Sequence, residues 1–432
     1  MFRDLPRYEA YHRPIEWLDS IPAHWSRRRF GTLLREKDIR SLAGEEQLLR
    51  VSQYTGVTER RAESGEGIDS RSDSLVGYKR VKQGQLAVNI MLAWNGSLGV
   101  SPYDGIVSPA YCVYSFKANL DPWFFHYLLR SPQLKARIKV NSRGIVDSRL
   151  RLYSDDLYRL EAGVPPLEEQ AAIVKYLAHA NARIDKAIAA KRRLIVLLEE
   201  QRDATVKAIL STSSDPKAPS KLVATGRLCR IETGVEDSGN ADPDGDYPFF
   251  VRGREILRAS DYHFDTEAVL TPGDGQGGTG KVFHYYNGKF QAHQRVYVFS
   301  QFSGIIARYF YWYMTAFFRE HALAQSNTVT MESLRRPVLA SFRVAVPDEN
   351  AQRALVERIE AQVIDTAQVV EKTQREIALL REFRTRLVAD VVTGQVDVRA
   401  IAASLPDTPE QDTALDSLLD DDLEDVLGEG EE

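Results

Sequence analysis

Residues Gly275-Gln276-Gly277-Gly278-Thr279-Gly280-Lys281 fit the spacing G-x-x-x-x-G-K, in which backbone N–H groups and a lysine cradle nucleotide phosphates. That chemistry needs Ser or Thr next, to hold magnesium, and then a helix whose N-terminus faces the phosphates. Here Val282 follows, and Phe283-His284-Tyr285-Tyr286 reads as a strand. The loop therefore reads as a connection between strands, with Gln276, Thr279 and Lys281 placed to approach a duplex. A nucleotide-binding enzyme using Gly275–Lys281 stands as a rival reading. Asn95-Gly96-Ser97 matches a glycosylation acceptor but is first a turn signal. It falls in the first half of the chain where the Gly-rich loop falls in the second.

Other catalytic groupings are missing from the sequence. No His/Cys set has metal-ligand spacing, and no G-x-S-x-G elbow occurs. The Pro165-Pro166 pair follows Val164 and precedes a helix start, unlike the [D/N]-P-P-[Y/F] element of an adenine methyltransferase. Cys112 and Cys229 are far apart, which suits a reduced, cytoplasmic chain without a disulfide. What does recur is a mixture of cations, amides and aromatics at comparable places in both halves. The first half has Arg50, Ser52, Gln53 and Tyr54, then Lys79 and Arg80, then Asn95 and Ser97, then Asn141, Ser142, Arg143 and Ser148. The second has Arg252 and Arg254, then Gln276, Thr279 and Lys281, then Gln325, Asn327 and Thr328. Arg and Lys suit phosphates and guanine edges, and Asn and Gln suit adenine. Each residue alone is an ordinary surface group; their paired placement is the signal for DNA binding.

The elements that must position these residues repeat. Val164-Pro165-Pro166-Leu167-Glu168-Glu169-Gln170 has an echo in Val346-Pro347-Asp348-Glu349-Asn350-Ala351-Gln352. Gly105 through Phe116 and Gly288 through Phe299 match at nearly the same offset. So do the aromatic stretches Trp123–Leu129 and Tyr309–Met314. Two homologous halves follow, each a globular domain and then a helix. From Leu167 to Leu210 there is no Pro or Gly, and Ile173, Leu177, Ala180, Ile184, Ala187, Leu194 and Leu198 recur in steps of three and four. From Asn350 to Val392, Val356, Ile359, Val363, Val370, Ile377, Leu380, Leu387 and Val391 do the same. Each helix would be about 60 Å long, and the two stripes are expected to bury each other as an antiparallel coiled coil.

The globular parts read as α+β. Gln85–Asn89 and Arg295–Phe299 look like strands, and Asp121–Val140 and Ser303–Leu323 like aromatic-rich helices. The expected boundaries are 1–164, 165–212, 213–346 and 347–399, with an acidic, disordered tail over 400–432. The net charge of −5 conceals an asymmetry: twelve of the 61 acidic residues lie between Asp407 and Glu432, with no base after Arg399. The body is left with 56 basic against 49 acidic residues, a mildly positive balance compatible with nucleic acid. No apolar run has the length of a membrane span.

In this order of parts the chain resembles the specificity subunit of type I restriction-modification systems. The likeness is carried by Ile21-Pro22-Ala23-His24-Trp25, by Pro165-Pro166-Leu167-Glu168-Glu169-Gln170, and by Thr393-Gly394-Gln395-Val396-Asp397-Val398-Arg399. The resemblance implies two target-recognition domains, each reading one half of a bipartite site, with the helix pair setting the gap between half-sites. It also implies a non-catalytic role. Two modification subunits would bring S-adenosylmethionine and methylate adenine, and restriction subunits would bring ATP, magnesium and cleavage. No cofactor is expected on this chain. The degenerate second copy at Pro347-Asp348-Glu349-Asn350 and the acidic tail depart from the pattern. A coiled-coil scaffold whose domains bind protein is the second rival.

Overall fold

The computed structural model describes residues 5–12, 14–60, 74–146, 149–212, 221–274, 280–325 and 333–409. It divides into two compact units, residues 1–190 with 376–432, and residues 191–375. The sequence repeat becomes a repeat of topology. In unit 1, strand Ser26–Arg29 pairs antiparallel with Glu161–Val164. In unit 2, Lys221–Ala224 pairs in the same sense with Arg343–Val346. A helical turn follows the first strand of each pair, Phe30–Leu33 or Thr225–Arg227. Against it packs a six-residue helix, Ser154–Arg159 or Arg336–Ser341. Glycine allows this approach twice. A Cβ on Gly31 would meet the Tyr158 Cβ at 3.1 Å, and one on Gly226 would meet the Ala340 Cβ at 3.3 Å.

The central sheet of unit 1 has the order 34–37, 111–116, 86–89, 98–100, all antiparallel. Unit 2 repeats that order and direction as 230–233, 296–300, 264–272, 284–292. It then extends the sheet with 247–250, parallel to its neighbour, and 256–259. Two similar α+β domains are therefore present, the second with a broader sheet. The strands expected at Gln85–Asn89 and Arg295–Phe299 are found at Leu86–Asn89 and Val296–Ser300. The helix expected over Asp121–Val140 is two, Pro122–Leu129 and Pro132–Asn141. Pro132 supplies no N–H and pushes Ser131 out of helical geometry, so the chain breaks there and restarts under a Ser131 cap. In unit 2 the aromatic helix Ala307–Ala324 is unbroken.

The long helices run Leu167–Thr212 and Glu349–Val392. The Asp348 carboxylate accepts from the Ala351 N–H at 2.9 Å, capping the second. Gly394, at φ 73°, ends it. Within unit 1 the helices are antiparallel: Glu169, at the start of the first, lies by Arg399 beyond the end of the second, whereas Asp185 pairs with Arg384. Their apolar stripes do more than bury each other. Ile173, Tyr176, Leu177 and Ala180 share one core with Phe124, Phe125, Leu387, Val391 and Val392. In unit 2, Val206, Ile209 and Leu210 share another with Phe310, Phe318, Leu355, Ile359 and Val363. Each globular part thus closes its core with the start of one long helix and the end of the other. Leu194, expected on the seam, is exposed.

The C-terminal tail begins later than expected. Arg399–Ser404 is a helix with Ala402 buried. The His179 Nε2–H donates to the Pro406 carbonyl at 2.9 Å, and Lys175 lies 3.0 Å from Asp407. Residues 410–432 lie outside the described residues. No described helix is long and apolar enough to cross a membrane.

Candidate nucleic-acid interface

One residue in each repeat fixes where the aromatic helix begins. Gln170 donates from Nε2 to the Pro165 carbonyl at 2.9 Å and accepts the Asp121 N–H at 2.8 Å. Gln352, its counterpart, donates to the Pro347 carbonyl at 2.9 Å and accepts the Ile306 N–H at 2.8 Å. Asp121 and Ile306 are the capping residues of Pro122–Leu129 and Ala307–Ala324. The first turn of each long helix therefore anchors the helix that packs under its domain's sheet.

In unit 1 a second buried group joins the three motifs that carry the family likeness. Glu169, 4% exposed, accepts from the Tyr8 hydroxyl at 2.6 Å, the Trp25 indole at 3.0 Å and the His24 Nε2 at 2.6 Å. Burial, and then the neighbouring carboxylate, push the Tyr8 hydroxyl well above its usual range. Gly394 closes the other side, where a Cβ would lie 2.4 Å from the Pro22 Cδ. The segments around Trp25, Gln170 and Gly394 thus form one junction.

Gln53, Tyr54, Asn95 and Ser97 come together on two neighbouring turns, 53–55 of the hairpin Leu49–Ser52/Gly56–Glu59 and 93–97 before strand Leu98–Val100. Arg130, at the end of Pro122–Leu129, lies beneath both turns. Its Nη1 donates to the carbonyls of Ser52, Gly96 and Leu98 at 3.2, 3.1 and 2.8 Å. Its Nη2 donates to those of Gln53 and Tyr54 at 2.9 and 2.7 Å. Loss of solvation lowers the guanidinium's pKa to about 10, so it stays charged at neutral pH. His126, one helical turn earlier, accepts the Val100 N–H on Nδ1 at 3.2 Å. Burial, and then the Arg130 charge, lower its pKa to about 3. Tyr54 projects from this platform with 59% of its surface exposed.

Two of the expected contacts face inward. Ser97 is 4% exposed, and its hydroxyl donates to Asn95 Oδ1 at 2.9 Å, so the pair closes the turn around Gly96. Lys79 is 7% exposed, with its ammonium 3.7 Å from Asp38. Both are corrected from contact residues to supports, because turn closure and strand alternation carry their side chains inside. Arg50 is half-buried on strand Leu49–Ser52 beside Tyr111. Arg80 is exposed and pairs with Glu46 at 3.0 Å. Ser142 caps helix Pro132–Asn141, with its hydroxyl donating to the Ile138 carbonyl at 2.8 Å. Arg143 follows it, paired with Asp156 at 2.8 Å and set 5.4 Å over the Tyr153 ring.

In unit 2, Arg252, Arg254 and Lys281 are exposed, and Arg254 pairs with Glu199 on the first long helix. Gln276, Thr279, Asn327 and Thr328 lie outside the described residues, as does Ser148 in unit 1. Strand Phe264–Pro272 precedes the Gly-rich loop and strand His284–Ala292 follows it, the two paired antiparallel. Among the described residues a strand, not a helix, follows the loop, unlike the geometry a nucleotide-binding loop requires. Among the described residues no group of His, Cys, Asp and Glu could hold a metal.

Arg130, Gln170, Gln352 and Glu169 were not singled out by chemistry in the sequence. The glutamines were visible as an identical residue at the same place in both copies, and Glu169 as part of the Pro-Pro motif. Arg130 had one weak signal, a lone cation at the end of an otherwise apolar aromatic helix.

The structure defines a duplicated α+β domain, each copy locked to a long helix and one carrying a cation-supported pair of turns. Comparison with known proteins agrees. Residues 221–379 match the model of the family described as the type I restriction modification DNA specificity domain. The chain is 27% identical over 176 residues to the type I restriction enzyme EcoDI specificity subunit of Escherichia coli. That match covers 41% of this chain and only 38% of the relative. The fold resembles that of a chain in a solved type I R-M system, with a TM-score of 0.54 and 17% identity, over 89% of this chain and all of that one. A type I S subunit from M. genitalium aligns over 88% of this chain and 99% of its own, with a TM-score of 0.40 and 14% identity.

Proposed function

We propose that this chain is the DNA-specificity subunit of a type I restriction-modification complex. It reads a bipartite double-stranded site, one half-site per unit, and directs adenine methylation and restriction carried out by partner subunits. The observation that carries this reading is the repeat of one topology, strand order and glutamine anchor in both units, with the specificity-domain family over 221–379. Two copies of one fold suit a duplex, whose two strands present equivalent backbones at successive sites. Copies that share a scaffold and differ in their turns can read different sequences.

In this reading the chain recognises and does not make or break bonds. Two modification subunits hold S-adenosylmethionine, restriction subunits hold ATP and magnesium, and assembly takes place in the cytoplasm. In unit 1 the DNA-facing residues are the exposed Tyr54 and the half-buried Gln53, with Arg80 and Arg143 as phosphate contacts; in unit 2 Arg252, Arg254 and Lys281 take that part.

Genomic methylation mapping in the host, with and without the gene, tests this directly. A two-part adenine motif disappearing with the gene is expected. An unchanged methylome, together with a random duplex pool that shows no enriched sequence on the assembled complex, would favour a protein-binding scaffold instead.

A further inference from the structure

Resting on the DNA-binding reading, we propose that unit 1 holds a backbone phosphate of the duplex at Lys135, and that Arg130 is the positioning residue that makes the 53–55 and 93–97 turns one reading lip. Neither residue was among those expected to contact DNA.

Five hydrogen bonds from one guanidinium reach two separate turns, and all five end on neutral carbonyls. Among the described residues no carboxylate pairs with Arg130 or Lys135. A half-buried cation that is solvated but not neutralised leaves a positive potential at the foot of the turns, and such a site is completed by an anion from outside. Lys135 lies over Gly96, with its Cδ 3.0 Å from where a glycine Cβ would stand. Its ammonium stands 3.7 Å from the same point and feels the Arg130 charge. Burial, and then the Arg130 charge, lower its pKa, and the negative charge of a phosphate beside it would oppose that shift.

The surroundings fit a duplex better than a small anion. Lys139, four residues on and so on the same helix face, stacks over the Trp94 ring at 5.0 Å. Tyr54 is exposed on the first turn, and Met91 and Leu92 are exposed just before the second. Cations beside exposed apolar and aromatic groups match a phosphate row beside base edges and thymine methyls. The Thr55 hydroxyl, buried in the first turn, has no partner among the described residues.

The two residues should fail differently. Lys135→Ala removes one phosphate contact. Binding of the assembled complex to specific and random duplexes should weaken alike, and the slope of log K against log salt should fall by about 1. Lys135→Arg should restore the slope and Lys135→Gln should not. Arg130→Lys keeps the charge but cannot span five carbonyls. It should relax base preference in one half-site, leave the other intact and keep the salt slope. Duplex pools randomised in one half-site at a time read both effects. An unaltered slope in Lys135→Ala, or two intact half-sites in a folded Arg130→Lys, would overturn the proposal while leaving the DNA-reading function standing. Should Arg130→Lys not fold, the Lys135 salt slopes decide alone. If the unaltered complex selects no sequence at all, it is the functional reading that fails.

Discussion

His126 shows how a residue can be legible in type and illegible in role. It sits among aromatics in the sequence, and the structure makes it a buried acceptor for the Val100 N–H, beside an arginine. Its pKa falls from 6.5 to about 3 on folding. The unfolded chain therefore binds a proton that the folded one refuses between those values, so unit 1 loses stability as pH drops from about 6.5 towards about 3. Denaturant titrations across that range should show the loss, and His126→Asn, which keeps an acceptor but takes up no proton, should flatten it. A slope unchanged in the variant would assign the acid sensitivity elsewhere. Gln170 and Gln352 make a paired test. Alanine at either strands a carbonyl and an N–H that are at least partly buried, for an expected loss of about 1–3 kcal/mol. Calorimetry should show Gln170→Ala lowering the transition of unit 1 and Gln352→Ala that of unit 2. These glutamines could be read from the repeat. Arg130 could not, because its partners lie 32 to 78 residues away in sequence and are backbone atoms that any residue type would supply.

At the scale of elements, the long helices were the most legible feature, since a stripe with period near 3.6 over more than forty residues admits no other structure. What the stripe packs against was less so. Periodicity shows which face is apolar, and the tertiary fold decides whether a neighbouring helix or a globular core covers it. The same limit applies to the two outer strands of unit 2, whose sequences do not alternate in the manner of a half-buried strand. It applies also to residues 400–407, where composition pointed to a solvated tail and the backbone instead packs back onto the first long helix. Where a terminal element meets the body, a single position can be decisive. Gly394 has a left-handed φ of 73° and a Cβ there would stand 2.4 and 2.6 Å from Pro22 ring atoms. Gly394→Ala should therefore cost unit 1 about 2 kcal/mol or more. A melting temperature equal to that of the parent would show that the junction gives way easily.

For the whole molecule the decisive property is separability, and the interactions that join domain to helix determine it. Among the described residues the Gln352 side chain bonds backbone groups alone, the Ile306 N–H and the carbonyls of Gly304 and Pro347. A foreign domain with the same backbone path can satisfy it whatever its side chains. The apolar part of the joint is more exacting, because Val206, Ile209, Leu210, Leu355, Ile359 and Val363 interdigitate with the domain's own aromatics. An imperfect match there is expected to cost about 1–3 kcal/mol, less than the stability of an ordinary domain. Replacing residues 221–346 by the corresponding domain of another family member should therefore give a folded chain. Unit 1 keeps its turns and its Arg130 support through that exchange, because every partner of Arg130 lies between Ser52 and Leu98. Methylation mapping should then report one half-site changed and the other retained. Both half-sites changing would mean that the units read DNA through each other and not side by side, and would contradict the division of labour that the duplicated topology implies.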